Sequence, residues 1–203
     1  AALTVYRAET REIDRLQKGI LEIARNEEPF DIFISYKETA EGGQRTKDSV
    51  LAQDIYDELT AKGYKVFFSR ITLEDILGKD YEPYIFAALN SAKIMLAVGT
   101  SFENFNSVWV KNEWSRFLAL MKNDRSRTLI PCYCDIDPYD MPSEFKHLQG
   151  QDMSKVGFLQ DLVRGIGKII PKGGAQGGAP TVVQVSGKQA VEPLLERAFM
   201  FLG

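Results

Sequence analysis

The chain has 203 residues, of which 44% are hydrophobic and 26% charged, with a formal net charge of −3. This composition is typical of a soluble globular protein, and it disfavours a nucleic-acid-binding protein, which usually carries a basic excess. The sequence contains no apolar run near the roughly 20 residues that span a bilayer and no secretory signal at its start. We therefore expect a cytoplasmic protein with no membrane and no nucleic-acid partner.

The N-terminal segment predicts a helix over residues 9–26, ended by Pro29. Its apolar residues recur at spacings of three, four and three: Ile13, Leu16, Ile20 and Ile23. This seam covers two heptads, which is too short to establish a coiled coil. Two interpretations stay open for this segment: a packing arm, or the end of a self-association element.

Strands alternate with amphipathic helices through the centre of the chain. β-Branched and aromatic runs predict strands at 30–36, 64–68, 94–99 and 128–134, and periodic apolar positions predict helices at 47–62, 81–92, 107–121 and 158–169. This alternation is typical of βαβ crossovers and a mostly parallel sheet, whose ligands bind beyond the carboxyl ends of the strands. We expect a loop at 100–106 on that edge, and an edge position or a bulge at Pro131.

The C-terminal residues differ in composition from the centre of the chain. Residues 171–180 are rich in Gly and Pro and predict a linker. A small strand at 181–185 and an amphipathic helix at 188–202 are expected to follow. We therefore divide the chain into an N-terminal helical arm, a main domain, a linker, and the start of a further module or a tail: 1–29, 30–170, 171–180 and 181–203.

Cys132 and Cys134 are one residue apart in a predicted strand, so their side chains would lie on the same face. A metal half-site would need further ligands, and the chain has a single histidine, His147. We expect a reduced, buried pair and no metal site.

The segment from Ser107 to Glu113 carries the sharpest functional signal. Trp109 and Glu113 are four residues apart and would share one face of the predicted helix. A ring and a carboxylate at the mouth of a sheet can hold a ribose and stabilise positive charge on it. Taken alone, Glu113 is better explained as a solvated helix acid, and Trp109 is equally well explained as a core residue. Ser107 would cap the start of the helix or bind the substrate.

Four sequence elements stand in the order of a Toll/interleukin receptor (TIR) domain: Asp31-Ile-Phe-Ile-Ser35-Tyr36, Lys65-Val-Phe-Phe68, the Glu74–Gly78 loop and Trp109-x-x-x-Glu113. Residues 30–170 resemble that family, in particular its bacterial, NAD+-cleaving branch. The resemblance implies a flavodoxin-like, doubly wound α/β fold with a parallel sheet of about five strands, the last of them within 135–157. It also implies a role in bacterial immunity or stress signalling.

The resemblance assigns roles to individual residues. Glu113 matches the catalytic glutamate that enzymatic members carry in their third helix, and Trp109 would form a wall against the ribose or the nicotinamide. Glu74 matches a second acid near the substrate, although an exposed loop charge explains it equally well. Tyr36 and Lys37 end the first predicted strand, where Lys37 would meet a phosphate. Glu38 departs from the basic residues found there in several enzymatic relatives.

The expected reaction is hydrolysis of the nicotinamide–ribose bond of NAD+, to give nicotinamide and ADP-ribose or a cyclic isomer, with no cofactor and with homotypic TIR–TIR association. A non-catalytic interaction module and a nucleotide sensor that binds without cleaving are the alternatives. A dinucleotide-dependent hydride enzyme would need a G-x-G-x-x-G turn, which the chain lacks. A phosphorylatable receiver domain would need an acid at the end of the third strand, where Val98-Gly99-Thr100 stands.

Overall fold

The structure is a computed structural model that describes residues 2–69 and 81–172. The predictions made for Glu74 and its loop, for the strand and helix of the C-terminal tail, and for all but the first two residues of the linker lie outside these ranges.

Helices and strands alternate along the described chain, as the sequence predicts. They are α1 (Ala2–Asn26), β1 (Ile32–Ser35), α2 (Lys47–Ala61), β2 (Val66–Phe68), α3 (Tyr81–Ser91), β3 (Ile94–Gly99), α4 (Phe102–Phe105), α5 (Val108–Asn123), β4 (Thr128–Tyr133), two 3₁₀ turns (Pro138–Asp140 and Ser143–Phe145), β5 (Gln151–Asp152) and α6 (Phe158–Ile169).

The five strands form one parallel sheet in the order β2-β1-β3-β4-β5. This arrangement confirms the predicted doubly wound α/β fold. β5 comes from the 135–157 stretch that had to supply the last strand. It pairs only with the last two residues of β4, so the earlier part of β4, which contains Pro131, has no neighbour on its outer side in the described sheet. A proline is tolerated there because it cannot donate to a ladder.

The strands feed two hydrophobic layers, one on each face of the sheet. Ile32 and Ile34 of β1 pack with α2 and α6, whereas Phe33 packs with α3 and α5. The helices that follow β1 and β3 therefore cover opposite faces of two neighbouring strands. That divergence makes the carboxyl ends of β1 and β3 the topological switch point, where ligands of open α/β sheets bind.

Helix α1 packs against α3, at a contact where the backbones approach closely. A Cβ atom added to Gly19 would lie 3.0 Å from the Cβ of Pro83. Half-buried apolar residues of α1 face the domain, among them Leu16, Ile20 and Ile23. This packing is the arrangement that the packing-arm interpretation expects.

The prediction of a loop over 100–106 is wrong, because this stretch contains α4. The hydroxyl of Ser101 accepts a hydrogen bond from the backbone N–H of Asn104 at 3.1 Å and caps the short helix. Phe105 at its end is fully buried against Gly99, where an added Cβ would lie 2.7 Å from the ring. Burial of this one ring folds a polar stretch that has no helical periodicity.

Cys132 and Cys134 are both buried on the same face of the sheet and form no disulfide, as predicted. Burial raises the pKa of the Cys132 thiol to about 12, so this thiol stays protonated. No helix in the described ranges combines the length and the apolar character needed to cross a bilayer.

Candidate functional site

Glu113 lies in the second turn of α5, largely buried, at the carboxyl edge of the sheet. Its Oε2 accepts a hydrogen bond of 2.6 Å from the hydroxyl of Ser35, the last residue of β1. Helix α5 packs on the sheet through the buried side chains of Val110, Trp114 and Phe117. This packing fixes the helix and directs the carboxyl group of Glu113 toward the switch point.

The electrostatic environment of Glu113 is unusual for a glutamate. Burial raises its pKa to about 7, and the hydrogen bond from Ser35, which favours the charged form, offsets only part of the shift. The group is therefore about half ionised at neutral pH. A carboxyl group with a strongly raised pKa at this edge of an α/β sheet is a candidate for a functional residue.

Trp109 lies one turn before Glu113, and its side chain is 60% exposed. The core-residue alternative for Trp109 is therefore wrong. The tryptophan of the core is Trp114, which is 1% exposed and whose Nε1 donates a hydrogen bond of 2.8 Å to the carbonyl of Phe105. Trp109 instead presents its indole to the surface beside the start of α5.

Ser107 occupies the N-cap position of α5, but its side chain does not cap the helix. Its hydroxyl donates a hydrogen bond of 3.0 Å to the carbonyl of Asn104 in α4. The prediction of side-chain capping is wrong, because the short helix α4 supplies an acceptor that the sequence does not reveal. Ser107 therefore joins α4 to α5.

Tyr36 and Ser35 project to opposite faces of the sheet, because strand residues alternate. The ring of Tyr36 is buried and stacks on Phe68 with a centroid distance of 5.0 Å, and its hydroxyl lies 3.1 Å from the Oγ of Ser69. Ser35, which was not among the predicted site residues, faces Glu113 instead. The alternation along β1 was a usable signal, since Phe33 and Ser35 share the face that α5 covers.

Lys37 follows Tyr36 and is half buried at the carboxyl end of β1. Burial raises the pKa of nearby Asp48, and the charge of Lys37 offsets a small part of that shift. Hydrogen bonds to its own backbone and from Ser101 lower the pKa of Glu103, to which the charge of Lys37 adds a smaller contribution. In the described part of the chain no carboxylate lies within 4 Å of its ammonium group. Lys37 is therefore a cation at the switch point with capacity to meet an anionic ligand.

A model of the TIR domain family matches residues 32–164, which is more than half of the chain. The chain belongs to the TIR domain family. Its α/β architecture and five-stranded parallel sheet are those of a TIR domain.

Two solved structures are similar to this TIR domain. One is a metazoan TIR-STING receptor from C. gigas in complex with 2',3'-cGAMP, with 19% identity, a TM-score of 0.49, and coverage of 68% of this chain and 39% of that chain. The other is the TIR domain of the Toll-related receptor TRR-2 from Hydra magnipapillata, with 18% identity, a TM-score of 0.47, and coverage of 68% and 98%. No curated protein matches the chain.

A cleft of about 820 Å³ opens on the TIR domain between the start of α5 and the β4–β5 connection. Two exposed aromatic rings, Phe102 and Tyr139, lie in its wall. Charged residues of both signs also line it: Glu103, Lys111, Asp140, Glu144 and Lys146. Glu113 itself does not line this cleft. In the described ranges no group of three or more His, Cys, Asp or Glu side chains is placed to hold a metal ion.

Proposed function

We propose that this TIR domain cleaves the nicotinamide–ribose bond of NAD+. The observation that supports the proposal best is the pairing of Glu113 with Ser35 at the switch point, in an environment that raises the pKa of Glu113 to about 7. The carboxylate lies at the edge of the sheet where open α/β sheets bind their ligands. It is also partly withdrawn from water, where its charge acts more strongly.

The chemistry requires one well-placed carboxylate. The bond between C1′ of the ribose and the pyridinium nitrogen breaks, and its electron pair neutralises the nicotinamide, so the leaving group needs no proton. Positive charge then develops on the ribose, and ionised Glu113 would stabilise it. Water adds to C1′ and loses a proton to give ADP-ribose, and internal attack by a second nucleophile of the substrate would give a cyclic isomer. Unlike most sugar hydrolases, which use a pair of acids, this reaction therefore needs no general acid.

The other predicted residues support the substrate from different sides. Trp109 would present its indole to the ribose or the nicotinamide, and Ser107 would hold the turn before it. Lys37 would pair with the pyrophosphate. Tyr36, on the far face of β1, would act on the substrate only by supporting Lys37. Glu74 keeps its proposed role as a second acid, in a segment outside the described residues.

The cleft between Phe102 and Tyr139 offers space for the adenosine half of the dinucleotide. Both rings are exposed and can stack on a purine. Its wall includes Lys111, two residues before Glu113, so it adjoins the same helix. We propose NAD+ as a substrate rather than a cofactor, and the cytoplasm as the compartment that supplies it.

The decisive experiment measures nicotinamide release from NAD+ by protein clustered on beads, since the family resemblance implies that assembly completes the site. Wild type is compared with Glu113→Gln, Glu113→Ala and a control, Glu58→Gln, which changes a partly exposed acid of α2 that pairs with Lys62. We expect the Glu113 variants to lose about 10²–10³-fold in rate and the control to equal wild type. Equal turnover by all four proteins would remove Glu113 from the reaction.

A second candidate function, homotypic association without catalysis, is supported by exposed apolar side chains at the start of α5. Val108 is 76% exposed and adjoins the exposed ring of Trp109. Apolar side chains clustered at a surface favour a protein contact. Light scattering of wild type and a Val108→Ser/Trp109→Ser double variant tests this idea. Oligomers that vanish in the variant, together with no NAD+ turnover by wild type, would favour the interaction module.

A further inference from the structure

Asp48 differs from the usual acid in the first turn of a helix. Such residues are normally solvated and interact weakly with the helix dipole, but Asp48 is 0% exposed. Its Oδ1 accepts two hydrogen bonds from Thr100, one from the backbone N–H at 3.0 Å and one from the hydroxyl at 2.6 Å. Its Oδ2 is also buried. Burial raises the pKa of Asp48, and hydrogen bonds from Thr100 and from the side chain of Asn104 in α4 offset part of that shift. A carboxylate is costly to bury unless it is hydrogen-bonded, and Thr100 supplies two such hydrogen bonds to Asp48.

Thr100 is the first residue of a hydrogen-bonded segment that ends at the candidate site. Ser101 caps α4, and the carbonyl of Phe105, at the end of α4, accepts the indole N–H of Trp114 in α5. Trp114 directly follows Glu113. The segment from Thr100 to Trp114 is therefore linked internally, and a shift of its first residue would be transmitted to Glu113.

The neighbour of Asp48 provides a natural comparison. Lys47 also connects the start of α2 to the end of a strand, because its ammonium group pairs with Asp135 just after β4. Both of these side chains are more than half exposed, and exposed ion pairs contribute little to stability. Of these two adjacent contacts, the buried one made by Asp48 is expected to contribute more to the free energy of folding.

We propose that Asp48 is a positioning residue, which holds Thr100 at the carboxyl edge of the sheet and thereby sets the position of the helix that carries Glu113. The inference rests on the proposed function where it concerns turnover. Asp48 does not touch the substrate. It acts through Thr100, α4 and the Trp114–Phe105 hydrogen bond.

The first test is independent of catalysis. The chain contains two tryptophans, Trp109 and Trp114, so 5-fluorotryptophan labelling gives two ¹⁹F resonances that report on the start and the middle of α5. We expect Asp48→Ala to shift or broaden the Trp114 resonance and Asp48→Asn, which keeps the acceptor for Thr100, to restore it. The adjacent exposed variant Lys47→Ala is expected to leave both resonances unchanged.

The second test measures NAD+ turnover. We expect Asp48→Ala to lower kcat by about 10²-fold, since small displacements of a catalytic group have effects of that size, with a much smaller change in KM and with rescue by Asp48→Asn. The core variant Ile166→Ala, in α6 on the other face of the sheet, controls for general destabilisation. It is expected to lower the melting temperature without changing the ¹⁹F spectrum or kcat at temperatures where it is folded.

Each outcome decides the inference. Wild-type resonances in Asp48→Ala would overturn it, and so would a loss of turnover that Ile166→Ala reproduces at equal stability. If wild type does not cleave NAD+, the proposed function fails, but the ¹⁹F shifts still show whether Asp48 positions α5. If Asp48→Ala does not fold, Thr100→Val takes its place, because it removes only the 2.6 Å bond. An unchanged spectrum in that variant would then overturn the inference.

Discussion

At the scale of single residues, the site depends on two opposing effects on Glu113. Burial disfavours its charge, and the hydrogen bond from Ser35 favours it, but burial is the larger effect and the pKa rises to about 7. A carboxylate that stabilises a developing cation has to be ionised. The proposed cleavage of NAD+ should therefore depend on pH near neutrality, unlike cleavage by an enzyme with an exposed glutamate.

We expect kcat/KM for NAD+ to rise about tenfold per pH unit below pH 7 and to level off above it, because only the ionised form of Glu113 stabilises the cation. The profile of kcat should have its inflection at a lower pH, since the positive nicotinamide ring of bound NAD+ favours the ionised carboxylate. Initial rates from pH 5 to 9 on clustered protein measure both. A flat profile across this range would contradict a titrating Glu113.

Removal of the Ser35 hydroxyl should move the inflection of the kcat/KM profile to a higher pH. Ser35→Ala deletes the hydrogen bond from Ser35, which lowers the pKa of Glu113, so the pKa should rise above 7 and the rate at pH 7 should fall. Most of the lost rate should return at pH 9. Ser69→Ala, at the end of β2 beside Tyr36 on the opposite face of the sheet, is the matched control. A loss of rate that is independent of pH would contradict the role assigned to Ser35.

Glu113 should also make the stability of the domain depend on pH. Its folded pKa of about 7 lies above the ordinary value of 4.5, so between these values the folded state keeps a proton that the unfolded state loses. Stability therefore falls as pH rises from 4.5 to 7, by up to about 3 kcal/mol. Glu113→Gln should not show this loss, so urea unfolding should find it more stable than wild type at pH 8. At pH 5 the difference in stability between the two proteins should be smaller. An equal difference at both pH values would contradict this expectation.

At the scale of secondary-structure elements, the short helix α4 connects β3 to α5. Its end is fixed because Phe105 packs on Gly99 and accepts the indole N–H of Trp114. Helix α5, which carries Glu113, is thus anchored by contacts of a four-residue element that the sequence does not predict. A change that displaces Phe105 should affect both stability and catalysis.

Gly99→Ala tests this anchoring. The added Cβ would lie 2.7 Å from the buried ring of Phe105, and overpacking of this kind costs about 1–3 kcal/mol. Gly165→Ala in α6 is the matched control. Its Cβ would meet nothing within 4 Å, so the helix should gain about 0.5–1 kcal/mol. Urea unfolding of both variants gives the comparison, and equal effects of the same sign would contradict the packing described.

At the scale of the whole molecule, α1 is an addition to the TIR domain, since it lies outside the residues that match the family. It packs on α3 and contributes half-buried apolar residues, whereas the sheet and both of its hydrophobic layers lie within residues 30–170. The site at the carboxyl edge receives none of its described contacts from α1. The core and the site should therefore survive without this helix.

Deletion of residues 1–28 should leave a cooperatively folding domain that is less stable by about 2–4 kcal/mol, since the deletion exposes the face of α3 that α1 covers. Thermal unfolding followed by circular dichroism measures this change. The fluorescence of the buried Trp114 should be the same as in wild type. Loss of a cooperative transition would show that α1 belongs to the folding core.

The sequence determined the order of the elements and the family. Strand and helix periodicities are local, so β3 and α6 were predicted with the bounds that the structure has. Glu113 was proposed as a site residue from its spacing to Trp109 together with the family resemblance. The tertiary structure decided which side chains meet. Ser35 rather than Tyr36 faces Glu113 because α5 covers one face of β1, and Asp48 reaches Thr100 because β1 and β3 are neighbours although distant in sequence. The raised pKa of Glu113 follows from the same packing, since burial depends on how the layers assemble and not on any local pattern.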